Sequence, residues 1–399
     1  MITRRQFLKR SVVAAVGLAL VGCQEEEGNP NSISASQETL ILRPTVSPTS
    51  ESSHPLPVSK TPIAATTSAS PTWVPSRQVA TGQSKNYDLK TVKNELLEML
   101  DSLGGIKDIL PLGGITVLKV NLTGGVGSYS MGGLPAQETI ATHPVVVQAL
   151  GELLIDAGAG ELFIVEAINE WETFQAWGYE EIARTLNARL IDLNSPAPFE
   201  TFTETKVKDG WMIYDRFTFN RILTECDTFI SIAKMKCHIE CGVTHSMKNL
   251  VGLVPFHEYS SNVGDNWRSA FHGTSAEKKM RLPRVITDLN LARPIHLAVI
   301  DGIKTIEAGE GSWAKGVKQL KPGVLVAGKN AVATDAIATA IQGFDPTADY
   351  PDSPFFQSVN HLNLATRLGM GTNRIDEIEI LGPVVADLLT PFTPANGYK

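Results

Sequence analysis

Three successive segments decide the fold class of this chain: GITVLKV at residues 114–120, PVVVQALGELLIDAG at residues 144–158 and ELFIVE at residues 161–166. The first and third are short apolar runs rich in β-branched residues, which is typical of strands that are buried on both faces. The middle segment has apolar residues at helical spacing and a glycine at its end, as a helix stop requires. A strand, a helix and a second strand in this order predict a parallel β-α-β unit.

The same alternation continues to the end of the chain. Further strands are predicted at residues 189–193, 227–233, 296–301, 323–327 and 377–381, and further helices at residues 180–187, 282–293 and 331–342. A short hairpin is predicted around Lys208-Asp209-Gly210. We therefore predict an α/β fold with a mostly parallel sheet flanked by helices, which forms a single domain over residues 86–399.

The N-terminal residues predict where the protein goes. Residues 3–9 read TRRQFLK, a twin-arginine export signature, and the apolar run that follows ends in Leu20-Val21-Gly22-Cys23, which resembles a bacterial lipobox. The run holds about ten residues, too few to span a bilayer of about 30 Å. We predict that residues 1–22 are a twin-arginine lipoprotein signal peptide and that Cys23 is lipidated. A plain signal anchor and a chance apolar helix are the alternatives.

This signal predicts two partners: the twin-arginine export machinery, and the membrane that holds the lipid on Cys23. The predicted location is extracytoplasmic, at the cell envelope of a prokaryote. Between residues 44 and 76, 21 of 33 residues are Ser, Thr or Pro. Such a segment cannot bury enough apolar surface to offset its ordering entropy, so residues 23–85 are predicted to be a disordered linker behind the lipidated cysteine.

The composition excludes several classes of protein. The chain has 399 residues, with 35 Lys and Arg against 42 Asp and Glu, and a formal charge of −7. An acidic chain argues against nucleic acid as a partner, because nucleic acid is bound through clustered cations. Four cysteines are too few for a disulfide scaffold.

Polar residues close several of the predicted strands. They are Lys119, Asn121, Glu166, Lys234, Lys236 and Asp301, and a glycine-rich loop follows the first strand at residues 123–127. In open parallel sheets, ligands bind beyond the carboxyl ends of the strands. We predict that these side chains meet at one edge and, with the loop amides, bind an anionic small molecule. For any single residue, loop solvation or helix capping is the alternative.

The densest polar stretch is KMKCHIECGVTHSMKNLVG, residues 234–252. Cys237, Cys241 and His245 are spaced by four residues, so a continuous helix would place them on one face, where they would suit zinc or another transition metal. Gly242 argues against such a helix. A Cys237–Cys241 disulfide and buried free thiols are the alternatives. The cofactor is therefore unknown, with a transition metal as the candidate. His257 and His272 could add metal ligands. Trp267 and Arg268 could clamp a substrate.

These motifs resemble the family named domain of unknown function 362. The specific part is Lys234-x-Lys236-x-His238, followed by Thr244-x3-Lys248-Asn249-x2-Gly252; Lys119-Val-Asn121-Leu-Thr123 and Thr142-His143-Pro144 add to it. The resemblance spans about residues 115–345. The family has no general assigned reaction, so the resemblance implies only a shared polar set: Lys119, Asn121, His143, Glu166, Lys234, Lys236, His238, Lys248, Asn249, Asp301 and Asp335.

This chain departs from the family pattern in several places. Cys237 and Cys241 do not look like family positions, Ser312 stands where a proline is expected, and residues 328–331 replace a Gly-x-Asp-Pro-like turn. Some relatives carry ferredoxin-like cysteine clusters, but nothing here matches them.

The leading hypothesis is an enzyme that acts on an anionic small molecule. Catalysis is assigned to His238, Lys236, Lys248 and Asp301, and ligand binding to Lys119, Asn121, Glu166, Lys234, Asn249 and Asp335. The alternatives are a solute-binding lipoprotein without chemistry, and a metal or redox relay through Cys237 and Cys241.

Overall fold

A computed structural model describes residues 75–274 and 277–399, apart from the side chain of Ser128. In these residues the strands are β1 Gln78–Gln83, β2 Ile115–Lys119, β3 Glu161–Glu166, β4 Arg189–Asp192, β5 Thr203–Lys206, β6 Arg216–Phe219, β7 Thr228–Lys234, β8 Lys236–His238, β9 Gly242–Thr244, β10 Leu297–Gly302, β11 Thr305–Glu307, β12 Lys318–Leu320, β13 Val324–Gly328 and β14 Glu379–Leu381.

The α-helices in the same residues are α1 Leu89–Ser102, α2 Gly125–Ser128, α3 Pro144–Asp156, α4 Glu172–Ala176, α5 Tyr179–Thr185, α6 Ile222–Glu225, α7 Ser246–Asn249, α8 Arg281–Ala292, α9 Ala331–Ile341, α10 His361–Arg367 and α11 Val385–Leu388. Several begin at side-chain caps. Asp88 accepts a hydrogen bond from the first turn of α1, His143 from that of α3 and Asn330 from that of α9.

One eight-stranded sheet organises the fold, in the order β14-β1-β13-β10-β7-β2-β3-β4. Strand β13 is antiparallel to both of its neighbours, and every other pair in the sheet is parallel. The chain runs from β2 to β3 and β4 on one side and returns to β7 and β10 on the other. The order therefore switches between β2 and β7, and open α/β sheets bind ligands beyond the carboxyl ends at such a point.

Both faces of the sheet are covered, which explains why its central strands are apolar throughout. Leu118 and Ile230 pack in one cluster with helices α1 and α3, whereas their neighbours Val117 and Phe229 pack in another with helix α8. Successive side chains of a strand point to opposite faces. The core is thus two apolar layers with the sheet between them.

The α/β prediction is confirmed, and the structure contains every strand and helix named from the sequence. The hairpin around Lys208 is formed by β5 and β6. The predicted boundary at residue 86 is wrong, because β1 pairs with both β13 and β14 in the sheet. The predicted signal peptide, Cys23 and the linker up to residue 74 lie outside the described residues. Within those residues, no helix combines the length and the apolar character needed to cross a bilayer.

Candidate functional site

The predicted polar residues meet at the carboxyl edge of four adjacent strands. Asp301 stands opposite Lys234 in the pairing of β10 with β7, and Lys119 ends β2 beside Glu166 at the end of β3. The two pairs flank the point where the strand order switches. The structure thus brings these four predicted residues together at one edge of the sheet.

Lys234 and Asp301 form a buried ion pair that is fully hydrogen-bonded. The Lys234 ammonium lies 2.7 Å from Asp301 Oδ2 and also donates to the Tyr87 hydroxyl and to two backbone carbonyls. Asp301 accepts further bonds from the backbone N–H of His143 and from Tyr87. Every donor of the Lys234 ammonium thus has a protein partner, and Asp301 accepts bonds from three different segments. Asp301 therefore has a structural role at this edge, in place of the predicted catalytic one.

Lys119 and Glu166 form a second buried pair, 2.9 Å apart. Lys119 also donates to the carbonyl of Val120 and to Asn249 Oδ1, while Glu166 accepts the backbone N–H of Leu122. Burial lowers the pKa of Lys119 to about 8, although Glu166 opposes the shift. This pair and Asn249 join β2, β3 and helix α7.

The glycine-rich loop does not offer the predicted anion cradle. The backbone N–H of Gly127 donates to Glu170 Oε1 at 2.9 Å. A Cβ on Gly125, whose φ is +62°, would lie 2.3 Å from the same carboxylate oxygen. A side chain of this protein thus already occupies the concave face of the loop. Asn121, just before the loop, donates weakly to Thr123, while its buried Oδ1 has no protein partner.

Strands β8 and β9 form a hairpin that carries Lys236 and His238 beyond the end of β7. Lys236 is fully buried and donates to the carbonyl of Ile140. Burial, reinforced by the charge of Lys248, lowers the pKa of Lys236 to about 7. His238 Nδ1 accepts the backbone N–H of Glu240, and burial again holds its pKa well below the usual value.

Lys248 and Arg268 supply further positive charge, and neither forms an ion pair with a carboxylate in the part of the chain that the structure describes. Lys248 is half-buried on helix α7, and among the described residues its ammonium has no hydrogen-bond or ion-pair partner. Arg268 is buried; its Nε donates to the carbonyl of Val254, and one terminal nitrogen has no partner. The charges of Arg268 and Lys248 both lower the pKa of Lys119, in addition to the larger effect of burial.

Asp335 fixes the helix that carries Lys248. Its carboxylate accepts the backbone N–H groups of Ser246 and Met247, each at 2.9 Å, and the hydroxyl of Ser246. Burial raises the pKa of Asp335 to about 7, against the effect of these bonds. Asp335 is thus a positioning residue for Lys248 and not, as predicted, a ligand-binding one.

The predicted metal ligands are not assembled. The segment forms a hairpin and not the continuous helix that would align Cys237, Cys241 and His245. The two thiols donate to different backbone carbonyls, those of Thr393 and Val243, and both cysteines are free. Across residues 75–274 and 277–399, no group of three or more His, Cys, Asp or Glu side chains is placed to hold a metal ion. The proposed ligand trio and the Cys237–Cys241 disulfide are both wrong for this structure.

The sequence analysis missed the partners of two of its candidate histidines. His245 is buried beside Gln342 and His361, and burial, aided by the charge of His361, lowers the pKa of His245 to about 3. Glu240 contacts His272 Nδ1 and accepts the Tyr398 hydroxyl at 2.8 Å. These partners are separated by 32 and 158 positions, so no local spacing could reveal them.

Comparison with known proteins identifies the family of this chain. Residues 117–340 match the family model described as a domain of unknown function, DUF362, and this match covers more than half of the chain. The chain belongs to the DUF362 family. A curated relative, the thylakoid-associated protein sll1697 of Synechocystis sp., is 24% identical over 271 residues, which are 68% of this chain and 76% of the relative.

Two solved structures show weaker similarity to this DUF362 protein. One is a protein of Thermotoga maritima, with a TM-score of 0.33 and 13% identity, covering 57% of this chain and 54% of the other. The second is a lactate racemase apoprotein of Thermoanaerobacterium thermosaccharolyticum, with a TM-score of 0.37 and 10% identity, covering 66% and 56%. The chain thus spans little more than half the length of each.

Proposed function

We propose that this DUF362 protein is an enzyme that acts on an anionic small molecule bound at the carboxyl edge of the sheet, with Lys248 as the main contact. The observation that carries the proposal is the imbalance of charge around Lys248. Lys234 is matched by Asp301 and Lys119 by Glu166, but Lys248 and one nitrogen of Arg268 have no partner among the described residues.

The local charges favour an anion over a cation. The surplus basic groups are Lys236, Lys248 and Arg268, and the carboxylate that acts on Lys236 most strongly, Glu310, already accepts the N–H groups of Ile239 and Trp313. A carboxylate or phosphate beside Lys248 would offset this charge, and a bidentate contact with a guanidinium is the strongest form of such binding. A bound anion would also favour the charged form of Lys236.

The chemistry is assigned to the hairpin side chains. A lysine whose pKa lies near 7 can exchange protons at neutral pH, which is what general acid–base catalysis requires. Lys236 and His238 lie on the short strand β8. The charge of Lys248 lowers the pKa of both side chains, in addition to the larger effect of burial. Lys248 would bind the anion, and Lys236 would move a proton on it beside the neutral His238 ring.

A binding measurement tests the anion site. We expect phosphate or malonate to raise the melting temperature of the full chain, since a ligand at 100 times its dissociation constant stabilises the folded state by about 2.7 kcal/mol. Lys248→Met should abolish this rise, whereas Lys208→Met, in the exposed loop of the β5–β6 hairpin, should retain it. Equal stabilisation of both variants would refute the site. If the protein binds anions but converts none of them to a product, it is instead a solute-binding protein.

We also propose that the protein is lipid-anchored outside the cytoplasm. The supporting observations are the twin arginines Arg4 and Arg5, the short apolar run and Cys23. In a bacterial host, Cys23→Ala should release the protein from the membrane fraction, and replacing both arginines by lysine should retain it in the cytoplasm. Unchanged fractionation of the two variants would refute the proposal.

A further inference from the structure

The pair Glu240–His272 lies beside the proposed anion site and has no role in it so far. His272 Nδ1 contacts Glu240 Oε2, and the side chains keep 17% and 14% of their surface exposed. The second oxygen of Glu240 accepts the Tyr398 hydroxyl at 2.8 Å. The Trp267 ring packs edge-on against His272, with the ring centres 4.8 Å apart.

The chemistry of the pair fixes the roles of the two imidazole nitrogens. Burial alone would raise the pKa of Glu240, but the hydrogen bond and charge of His272 and the Tyr398 hydroxyl outweigh burial and lower it. Glu240 is therefore ionised at neutral pH, and an ionised carboxylate can only accept. The proton of a neutral His272 ring thus sits on Nδ1, which leaves the lone pair on Nε2.

The hairpin geometry places the pair next to the anion site. The backbone N–H of Glu240 donates to His238 Nδ1 at 3.1 Å, and strand β9, which pairs with β8, leads directly into the helix that carries Lys248. The charges of Lys248 and His272 both act on His238, whose pKa they lower after the larger effect of burial. Glu240 also lines a cleft of about 180 Å³, together with Ile239, Lys278, Gln357, Gly397 and Tyr398.

We propose that Glu240 and His272 form a general acid–base pair for the anion bound at Lys248. The inference rests on the proposed anion site and adds a second proton-transfer group to Lys236. In the forward step an X–H bond of the anion breaks, the proton goes to His272 Nε2, and the electron pair stays on X beside the Lys248 ammonium. The reverse step returns the proton, so no further reactant is needed.

A purely structural role would also explain the contact, because the pair ties the β8–β9 hairpin to the loop before helix α8. The two roles differ in whether a bound anion touches Nε2. The test is nitrogen NMR of the full chain labelled with ¹⁵N-histidine, with inorganic phosphate as the probe. His272→Gln assigns the His272 signals, and His257, whose side chain is 60% exposed, serves as the internal reference.

We expect saturating phosphate to move the His272 Nε2 signal toward that of a protonated nitrogen and to leave His257 unchanged. Glu240→Gln should remove the Nε2 shift while it changes the phosphate dissociation constant by less than about threefold, below 1 kcal/mol. Lys248→Met should remove both the shift and the binding.

The failures of the two proposals differ. If phosphate stabilises the protein through Lys248 but His272 Nε2 does not move, the acid–base pair is refuted and the anion site stands. If neither phosphate nor malonate stabilises the wild-type chain, the anion site fails, and the acid–base pair fails with it.

Discussion

The Lys234 ammonium lies 2.7 Å from Asp301 Oδ2, and neither side chain is exposed to solvent. The two residues face each other across adjacent parallel strands, so the ion pair is part of the sheet edge. Burying two charges costs several kcal/mol for each ion, and their mutual attraction repays this only when the remaining donors and acceptors are satisfied. Tyr87, His143 and backbone carbonyls satisfy them here. This arrangement gives Asp301 a structural role.

Breaking this pair should destabilise the protein strongly. Asp301→Asn leaves the Lys234 ammonium buried without its counter-ion, and we expect a loss of about 3–5 kcal/mol in the free energy of unfolding, measured with urea. Glu161→Gln, which breaks the exposed contact with Arg189, should cost less than about 1 kcal/mol. Similar losses in the two variants would contradict the assignment of Lys234 and Asp301 as a buried structural pair.

The true start of the domain can be tested by truncation. A chain that begins at residue 75 keeps strand β1, whereas one that begins at residue 86 loses it and exposes the edges of β13 and β14. The buried side chains of Val79 and Ala80 would also be lost. We expect the shorter chain to aggregate or to melt at least about 10 °C lower, as measured by calorimetry. Equal melting temperatures would show that β1 is dispensable.

The buried histidine His361 should make the protein sensitive to acid. Burial, aided by the charge of Lys248, lowers the pKa of His361 from 6.5 to about 3. Between these values the unfolded chain binds a proton that the folded protein does not, so stability falls as pH falls from 6.5 toward 3, by up to about 1.4 kcal/mol per pH unit.

His361→Leu should flatten this dependence in urea unfolding measured at several pH values. The variant should lose little stability at pH 8, because both ring nitrogens of His361 lack a protein partner. His257→Leu, which removes an exposed ring, should keep the acid sensitivity of the wild type. A His361→Leu variant as acid-sensitive as the wild type would rule out this source.

The two hairpin thiols should be inert in the folded protein. Burial raises the pKa of Cys241 to about 12 and that of Cys237 further, so neither forms the reactive thiolate at pH 8. We expect iodoacetamide to modify them only in denaturant, as followed by mass spectrometry. Half-buried Cys226, which accepts a bond from Arg293, is the internal comparison and should react first. Rapid modification of Cys237 or Cys241 in the folded chain would contradict this prediction and support the alternative hypothesis of a redox relay through these cysteines.

The sequence predicted the elements well because their signals are local. The runs at residues 114–120 and 161–166 are strands β2 and β3, and residues 144–158 contain helix α3. Strand β1 was missed because it follows a Ser/Thr/Pro-rich segment and has its partners more than 200 residues away. The error at Cys237 had another cause: helical spacing was applied to a segment that turns at Gly242, where φ is +77°.

What the sequence determined by itself was the α/β class, the parallel strands and the edge where Lys119, Glu166, Lys234 and Asp301 meet. These follow from apolar periodicity and from the rule that parallel strands end on the same side. Only the tertiary structure decided which of these charges are neutralised and which remain. Lys248 and Lys234 lie 14 positions apart and look alike in the sequence. Within residues 75–274 and 277–399, however, Lys248 has no ion-pair partner, whereas Lys234 is bound to Asp301. That difference arises because ion pairing depends on contacts between distant segments, and the order of residues along the chain does not encode those contacts locally.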